Sequence, residues 1–165
     1  MDLALIISGG ILIGCLIGLS WFAGSDAPYV PTKMDNIKKI LKLAGVKKGR
    51  KFYELGSGDG RVVIEAAKIG AKSFGIEQSW IRVLYSRWKA RHLTDTKFFH
   101  GNIFAKNYGD ADIIYIYLLT KGVKKLEEKL QKELKKGAVV ITQKYHFPNW
   151  KPSKKIADFW LYSKS

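Results

Sequence analysis

The stretch with most chemical potential reads Glu54-Leu55-Gly56-Ser57-Gly58-Asp59-Gly60. It follows a short apolar run and opens a helical pattern, the setting in which a glycine-rich turn is informative. Glycines there let the backbone turn sharply and approach a ligand where side chains would intervene. A dinucleotide fingerprint needs G-x-G-x-x-G. Here the third glycine comes one residue early, at Gly60, and Arg61 stands in the expected place. No Walker-type G-K-[ST] is present, so phosphate binding is not supported. Glu77 ends the next strand pattern, 23 residues beyond Glu54. A carboxylate at that point can accept hydrogen bonds from two ribose hydroxyls. Asn102 follows the third strand pattern, where an amide could read an adenine edge. This set suits a nucleoside ligand without phosphates, a description that S-adenosylmethionine fits.

Alternating strand and helix patterns must hold these residues. Ile37, Ile40, Leu41 and Ala44 recur at helical spacing, with Thr32 or Asp35 as the cap. Strands are predicted over 51–55, 72–76 and 96–100, with helices over 61–69 and 79–92. The run 111–119, ADIIYIYLL, is apolar nearly throughout, as a central parallel strand covered on both faces should be. Val123, Leu126, Leu130 and Leu134 define an amphipathic helix starting near Thr120. A fifth strand spans 138–145, and 155–162 reads as an antiparallel edge strand. The alternation predicts an α/β, Rossmann-like sheet, mostly parallel with an antiparallel edge, wound by right-handed crossovers.

The chain has 165 residues and a formal net charge of +15, enough length for one domain and an accessory segment. An apolar content of 47% excludes disorder throughout. The single Cys15 excludes a disulfide framework and a cysteine-based metal cluster. His92, His100 and His146 lack metal-ligand spacing, so no metal is expected. Residues 3–23 carry no charge, and a helix of that length spans a hydrocarbon core of about 30 Å at roughly 1.5 Å per residue. The expectation is one uncleaved transmembrane helix over 1–23, a linker over 24–32 and a catalytic domain over 33–165. Trp21 and Phe22 would anchor its end, and Cys15 would be a small apolar residue within it. Gly10, Gly14 and Gly18 give either a helix-packing face or only the glycine content common in membrane helices. The cations begin at Lys33, which predicts a single-pass protein with its N-terminus outside and its catalytic domain cytoplasmic.

E-L-G-S-G-D-G, G-I-E-Q and G-N-I-F at successive strand ends resemble class I (seven-β-strand) S-adenosylmethionine-dependent methyltransferases. The apolar N-terminal segment, P-Y-V-P-T at 28–32, Tyr117-Leu118-Leu119 and H-F-P-N-W at 146–150 are similar to the ATP synthase c-subunit lysine N-methyltransferase family and its prokaryotic relatives. The resemblance implies S-adenosyl-L-methionine as cofactor. Gly56, Ser57 and Gly58 would line its methionine end, with Glu54 near and Asp59 and Gly60 completing the loop. Glu77 would take the ribose, Gln78 would lie against adenine, and Asn102 with Ile103 would bound its edge. Thr32 joins the cofactor set. The position of Asn102 is usually acidic in this family, and Thr120 stands where proline is expected. The last helix and one strand of the full fold are expected to be missing.

Transfer to lysine requires alignment of acceptor, methyl and sulfur, worth on the order of 7–11 kcal/mol. It also requires a neutral amine, which from a pKa near 10.4 costs about 4.6 kcal/mol at pH 7. Tyr29, Tyr117, Tyr145, His146, Phe147 and Trp150 are candidate lining residues. Tyr117 and Tyr29 are the catalytic candidates, Tyr117 because it ends the central strand. Arg82, Arg87, Lys89 and Arg91 with Trp80 and Trp88 form a basic aromatic helix, suited to anionic lipid or nucleic acid, or simply a solvated face over core tryptophans. A tether favours an anionic membrane surface and makes nucleic acid unlikely as partner. The expected function is lysine N-methylation of a membrane-associated protein. The alternatives are methylation of a small lipophilic quinone or lipid, and a non-catalytic S-adenosylmethionine-binding membrane adaptor.

Overall fold

The computed structural model describes residues 2–22 and 34–165, and the side chains of Ile17 and Ser20–Phe22 fall outside that description. Tyr29, Thr32 and the rest of the 24–32 linker therefore lie outside the described residues, as do the Trp21 and Phe22 side chains. In order, the elements are α1 (Leu3–Phe22), α2 (Met34–Leu43), β1 (Lys51–Leu55), α3 (Arg61–Lys68), β2 (Lys72–Glu77) and α4 (Trp80–Lys89). They continue with β3 (Thr96–His100), β4 (Ile113–Ile116), α5 (Thr120–Glu133), β5 (Val139–Gln143), β6 (Lys154–Ile156) and β7 (Phe159–Ser163).

The strands make one seven-stranded sheet in the order β3-β2-β1-β4-β5-β7-β6. β1 to β5 run parallel, and β7 is antiparallel to both β5 and β6. β4 is buried at every position because both its faces are covered. Ile113 and Tyr115 join Phe52, Ile141, Phe159 and Leu161 under α2 and α3, while Ile114 and Ile116 join Tyr53, Leu55 and Val140 under α5. Each such large apolar side chain contributes roughly 1.5–3 kcal/mol of burial.

Three sequence expectations change. The run 155–162 is a hairpin rather than one strand, because Ala157 adopts φ 51° and turns the chain between β6 and β7. The sheet thus has its full seven strands, and the expected missing strand is present. No helix intervenes between β5 and β6; residues 144–153 cover the α5 face instead. There Phe147 is buried and its N–H donates to the Tyr162 hydroxyl at 3.0 Å. Glu127 of α5 accepts from the Asn149 N–H at 2.8 Å and from the Trp150 N–H, which pins the turn.

The third change concerns the N-terminus. No helix among the described residues is long and apolar enough to cross a membrane. The single-pass location, with N-terminus outside and cytoplasmic catalytic domain, is corrected accordingly. α1 touches α4 and keeps Leu and Ile side chains exposed along its length.

Candidate active site

The sheet order reverses direction between β1 and β4, since the chain leaves β1 toward β2 and later returns to β4 on the other side. In open α/β sheets such a switch point leaves a crevice at the carboxyl ends of the strands. The glycine-rich turn stands there. The N–H groups of Gly56 and Ser57 both donate to the Ile76 carbonyl, at 2.9 and 3.0 Å, which curls the loop over the end of β2. Across the crevice Leu118 faces it: a Cβ on Gly56 would stand 3.1 Å from Leu118 Cδ2.

Gly60 explains the early third glycine. Its φ is 76°, and a Cβ there would come within 2.7 Å of the Phe98 ring and 2.9 Å of Ser86 Cβ. Arg61, standing where a dinucleotide fingerprint has glycine, folds back onto Asp59 with Nε at 2.9 Å and Nη2 at 3.0 Å. Lys89 at the end of α4 reaches Asp59 Oδ2 at 3.2 Å. Burial opposes ionisation of Asp59, but hydrogen bonds and charge from Arg61 and Lys89 outweigh it and hold the carboxyl below its ordinary value. Both cations are thus taken up by the loop's own acid, consistent with a ligand that carries no phosphate there.

Glu77 is buried, yet both its carboxylate oxygens keep accepting capacity. Oε2 accepts from the Gly58 N–H at 2.9 Å and Oε1 from the Ser79 N–H at 3.0 Å. Each oxygen has two lone pairs, so the pair can still receive two hydroxyls. Arg82 Nη1 lies 3.7 Å from Oε1. Glu54 is buried below the loop, and its Oε2 accepts from the Val63 N–H at 3.2 Å. Burial is the main cause that pushes its carboxyl well above the ordinary range. The Val63 bond and Arg61 act against this, and Asp59 and Glu77 reinforce it.

Ser57 Oγ does not face the crevice. It is buried without a hydrogen-bond partner among the described residues and lies 2.7 Å from where a Cβ on Gly75 would stand. Asn102 is exposed, and its Oδ1 accepts from the Phe104 N–H at 2.9 Å, which leaves its NH₂ end and one Oδ1 lone pair to meet a base. Ile103 is buried beside it and Gln78 is half-buried at the end of β2. Tyr117 is half-buried just past β4 against the α2–α3 cluster. Tyr145, Phe147 and Trp150 pack against the opposite, α5-side cluster, so the expected aromatic lining divides between the two faces of the sheet.

Sequence reasoning missed Arg82, which it had counted on a basic surface; the residue is 3% exposed. The spacing of Ser79, Arg82, Val83 and Ser86 along one face of α4 was the available signal. Arg87, though exposed, donates to the Phe98 carbonyl at 2.7 Å. Conversely Trp80 and Trp88, weighed as core, are 56% and 61% exposed, and Leu84 between them is 56% exposed. Gly75 was missed as well, although a glycine inside a strand is itself a sign of close approach.

Comparison with known proteins agrees with this geometry. The ATP synthase c-subunit lysine N-methyltransferase of Xenopus laevis is 35% identical over 128 residues, covering 76% of this chain and 56% of that protein. A protein-lysine N-methyltransferase of Saccharolobus islandicus (strain REY15A) is 33% identical over 134 residues, covering 78% of this chain and 83% of that protein. The chain spans 56% to 67% of the length of the vertebrate c-subunit methyltransferases it matches, with 58% for the mouse protein. Among solved structures, an RNA methyltransferase from Salinibacter ruber in complex with S-adenosyl-L-homocysteine superposes with a TM-score of 0.77 at 29% identity. It covers 82% of this chain and 94% of that one. The family model described as the ANTKMT methyltransferase domain matches residues 54–154, and the chain belongs to that family.

Proposed function

We propose that this chain is an S-adenosyl-L-methionine-dependent protein-lysine N-methyltransferase with its catalytic domain over 33–165. The observation that carries the reading is Glu77, a buried carboxylate with two acceptor positions left, beside a glycine loop without a phosphate cradle. It is supported by the lysine-methyltransferase names of relatives in an archaeon and in vertebrates. Glu77 would hold the ribose hydroxyls. Gln78, Asn102 and Ile103 would flank adenine. Glu54 and the loop Gly56, Ser57, Gly58, Asp59 and Gly60 would bound the methionine end. Ser57 contributes there through its backbone, since its hydroxyl faces Gly75. The bound cofactor supplies an electrophilic methyl group. Tyr117 and Leu118 at the end of the central strand would guide the acceptor toward it. Tyr29 and Thr32 belong to the proposal through the sequence resemblance alone.

The test is transfer of label from radiolabelled cofactor into proteins of a cell extract, followed by hydrolysis to amino acids. Methylated lysine is the expected product. Label confined to the lipid extract would instead support the small lipophilic substrate. Binding without any transfer would leave only the adaptor.

A finer reading is that the substrate is met at an anionic membrane surface. Trp80, Leu84 and Trp88 form an exposed stripe on α4, and Arg91 lies 4.9 Å over the Trp88 ring. Aromatic side chains favour the headgroup region, and each cation near anionic lipid adds about 1 kcal/mol. The full chain should co-sediment with phosphatidylglycerol vesicles at low salt, and the Trp80→Ser/Trp88→Ser double variant should lose most of that binding. Equal binding by the two would remove α4 from the reading.

A further inference from the structure

One corner of the site is not used by the cofactor reading. Ile116 of β4 pairs with Thr142 of β5, so the next residues, Tyr117 and Gln143, lie level at the carboxyl ends of adjacent strands. Gln143 in turn pairs with Phe159, the first residue of β7, which places Asp158 at the same edge. A chain of hydrogen bonds runs from the core to that residue. Gln143 Nε2 donates to Asp158 Oδ2 at 3.0 Å, and the Tyr115 hydroxyl donates to Gln143 Oε1. A carboxylate can only accept, so Asp158 fixes the amide with its nitrogen outward, and the amide fixes the tyrosine proton.

Two further features mark the corner. Lys144 and Ala157 are the two non-glycine residues with positive φ among the described residues, at 66° and 51°. They flank the bond from the Lys144 N–H to the Asp158 carbonyl, 2.6 Å long. Such backbone persists where its surroundings hold it, and it collects at functional positions. The second feature is charge. Asp59, Asp110 and Asp112 each carry a Lys or Arg partner, and the last two stand at the opposite ends of the strands. Asp158 is exposed and has no cationic partner within 4.0 Å among the described residues, in a chain of net charge +15.

We propose that Asp158 is the specificity-determining carboxylate that receives the ammonium of the incoming lysine at the mouth of the site. The assignment rests on the lysine reading above. Gln143 and Tyr115 are positioning residues that hold Oδ2 and leave Oδ1 to the amine. An acceptor-only group selects an amino substrate over an acid, and it draws one cation out of an otherwise repelling surface.

The experiment uses the full chain saturated with S-adenosyl-L-homocysteine and titrated with n-butylammonium, the end of a lysine side chain, followed by amide chemical shifts. Wild type should saturate, Asp158→Asn should weaken binding by about tenfold, and Asp158→Glu should stay within about threefold of wild type. Asparagine still accepts from Gln143 Nε2, so melting temperature and S-adenosyl-L-homocysteine affinity should not move; a purely structural role would move them. Unchanged n-butylammonium binding by Asp158→Asn, or no saturable binding by wild type, overturns the proposal alone. Failure of S-adenosyl-L-homocysteine to bind wild type overturns the cofactor reading with it.

Discussion

Glu77→Ala should lower the affinity for S-adenosyl-L-homocysteine by about two orders of magnitude, roughly 3 kcal/mol, in isothermal calorimetry. In the proposed site the carboxylate would serve the fold and the ligand at once. It accepts the Gly58 N–H at 2.9 Å and the Ser79 N–H at 3.0 Å, and thereby ties the glycine loop to the start of α4. Alanine would remove the proposed ribose acceptors and leave two buried backbone donors without that partner. It also removes a carboxylate that lies 3.7 Å from Arg82 in a dry environment. The melting temperature should fall by about 5–10 °C, the shift corresponding to roughly 2–3 kcal/mol in a domain of this size. Glu77→Gln separates the two roles. It keeps the volume and one acceptor, so it should recover part of the stability while cofactor affinity stays low. Undiminished binding by Glu77→Ala would remove the residue from the site.

Cofactor binding should also release a proton from Glu54. In the free protein, burial holds this carboxyl well above its ordinary value, so it keeps its proton where an exposed glutamate has lost one. S-adenosylmethionine is cationic at its sulfonium and ammonium, and a cation beside a carboxyl lowers its pKa. The sign follows from linkage. The bound state holds fewer protons than the free state, so affinity rises with pH between the two values, by at most about tenfold per pH unit. Calorimetry in buffers of different ionisation enthalpy reads the released proton directly, and Glu54→Gln should flatten the pH dependence. Proton uptake, or a flat profile in wild type, would refute it. The same raised value affects the free protein. Folded Glu54 binds its proton more tightly than unfolded Glu54. Its contribution is therefore favourable below the ordinary carboxylate range and declines as pH rises toward the raised value. Asp59 behaves oppositely, its contribution being lost as pH falls through its lowered value.

Much of the fold was legible because it is written in short-range pattern. The strand over 51–55 and that over 96–100 were read with the bounds they have, from apolar runs between turn residues. The Ser79 cap and the helix from Thr120 were likewise local, set by one side chain and by a 3.6-residue period. The glycine turn and Glu77 were visible because strand ends and loop composition are properties of neighbours along the chain. The sequence by itself thus determined the alternating α/β order, the crevice-forming loop and the acid opposite it.

Tertiary structure decided what depends on residues far apart meeting in one register. Whether Phe147 and Trp150 would line the crevice or cover α5 turned on Glu127, some twenty residues away, pinning their loop to the far face. Whether Arg82 and Lys89 of α4 would face water turned on Glu77 and Asp59 being within reach. The link from Tyr115 to Asp158 joins three residues spaced 28 and 15 apart, which only the pairing of β4, β5 and β7 brings together. Local propensity fixes which face a side chain takes within its own element. It carries no information about which distant group will stand opposite, and packing of the two sheet faces supplies that.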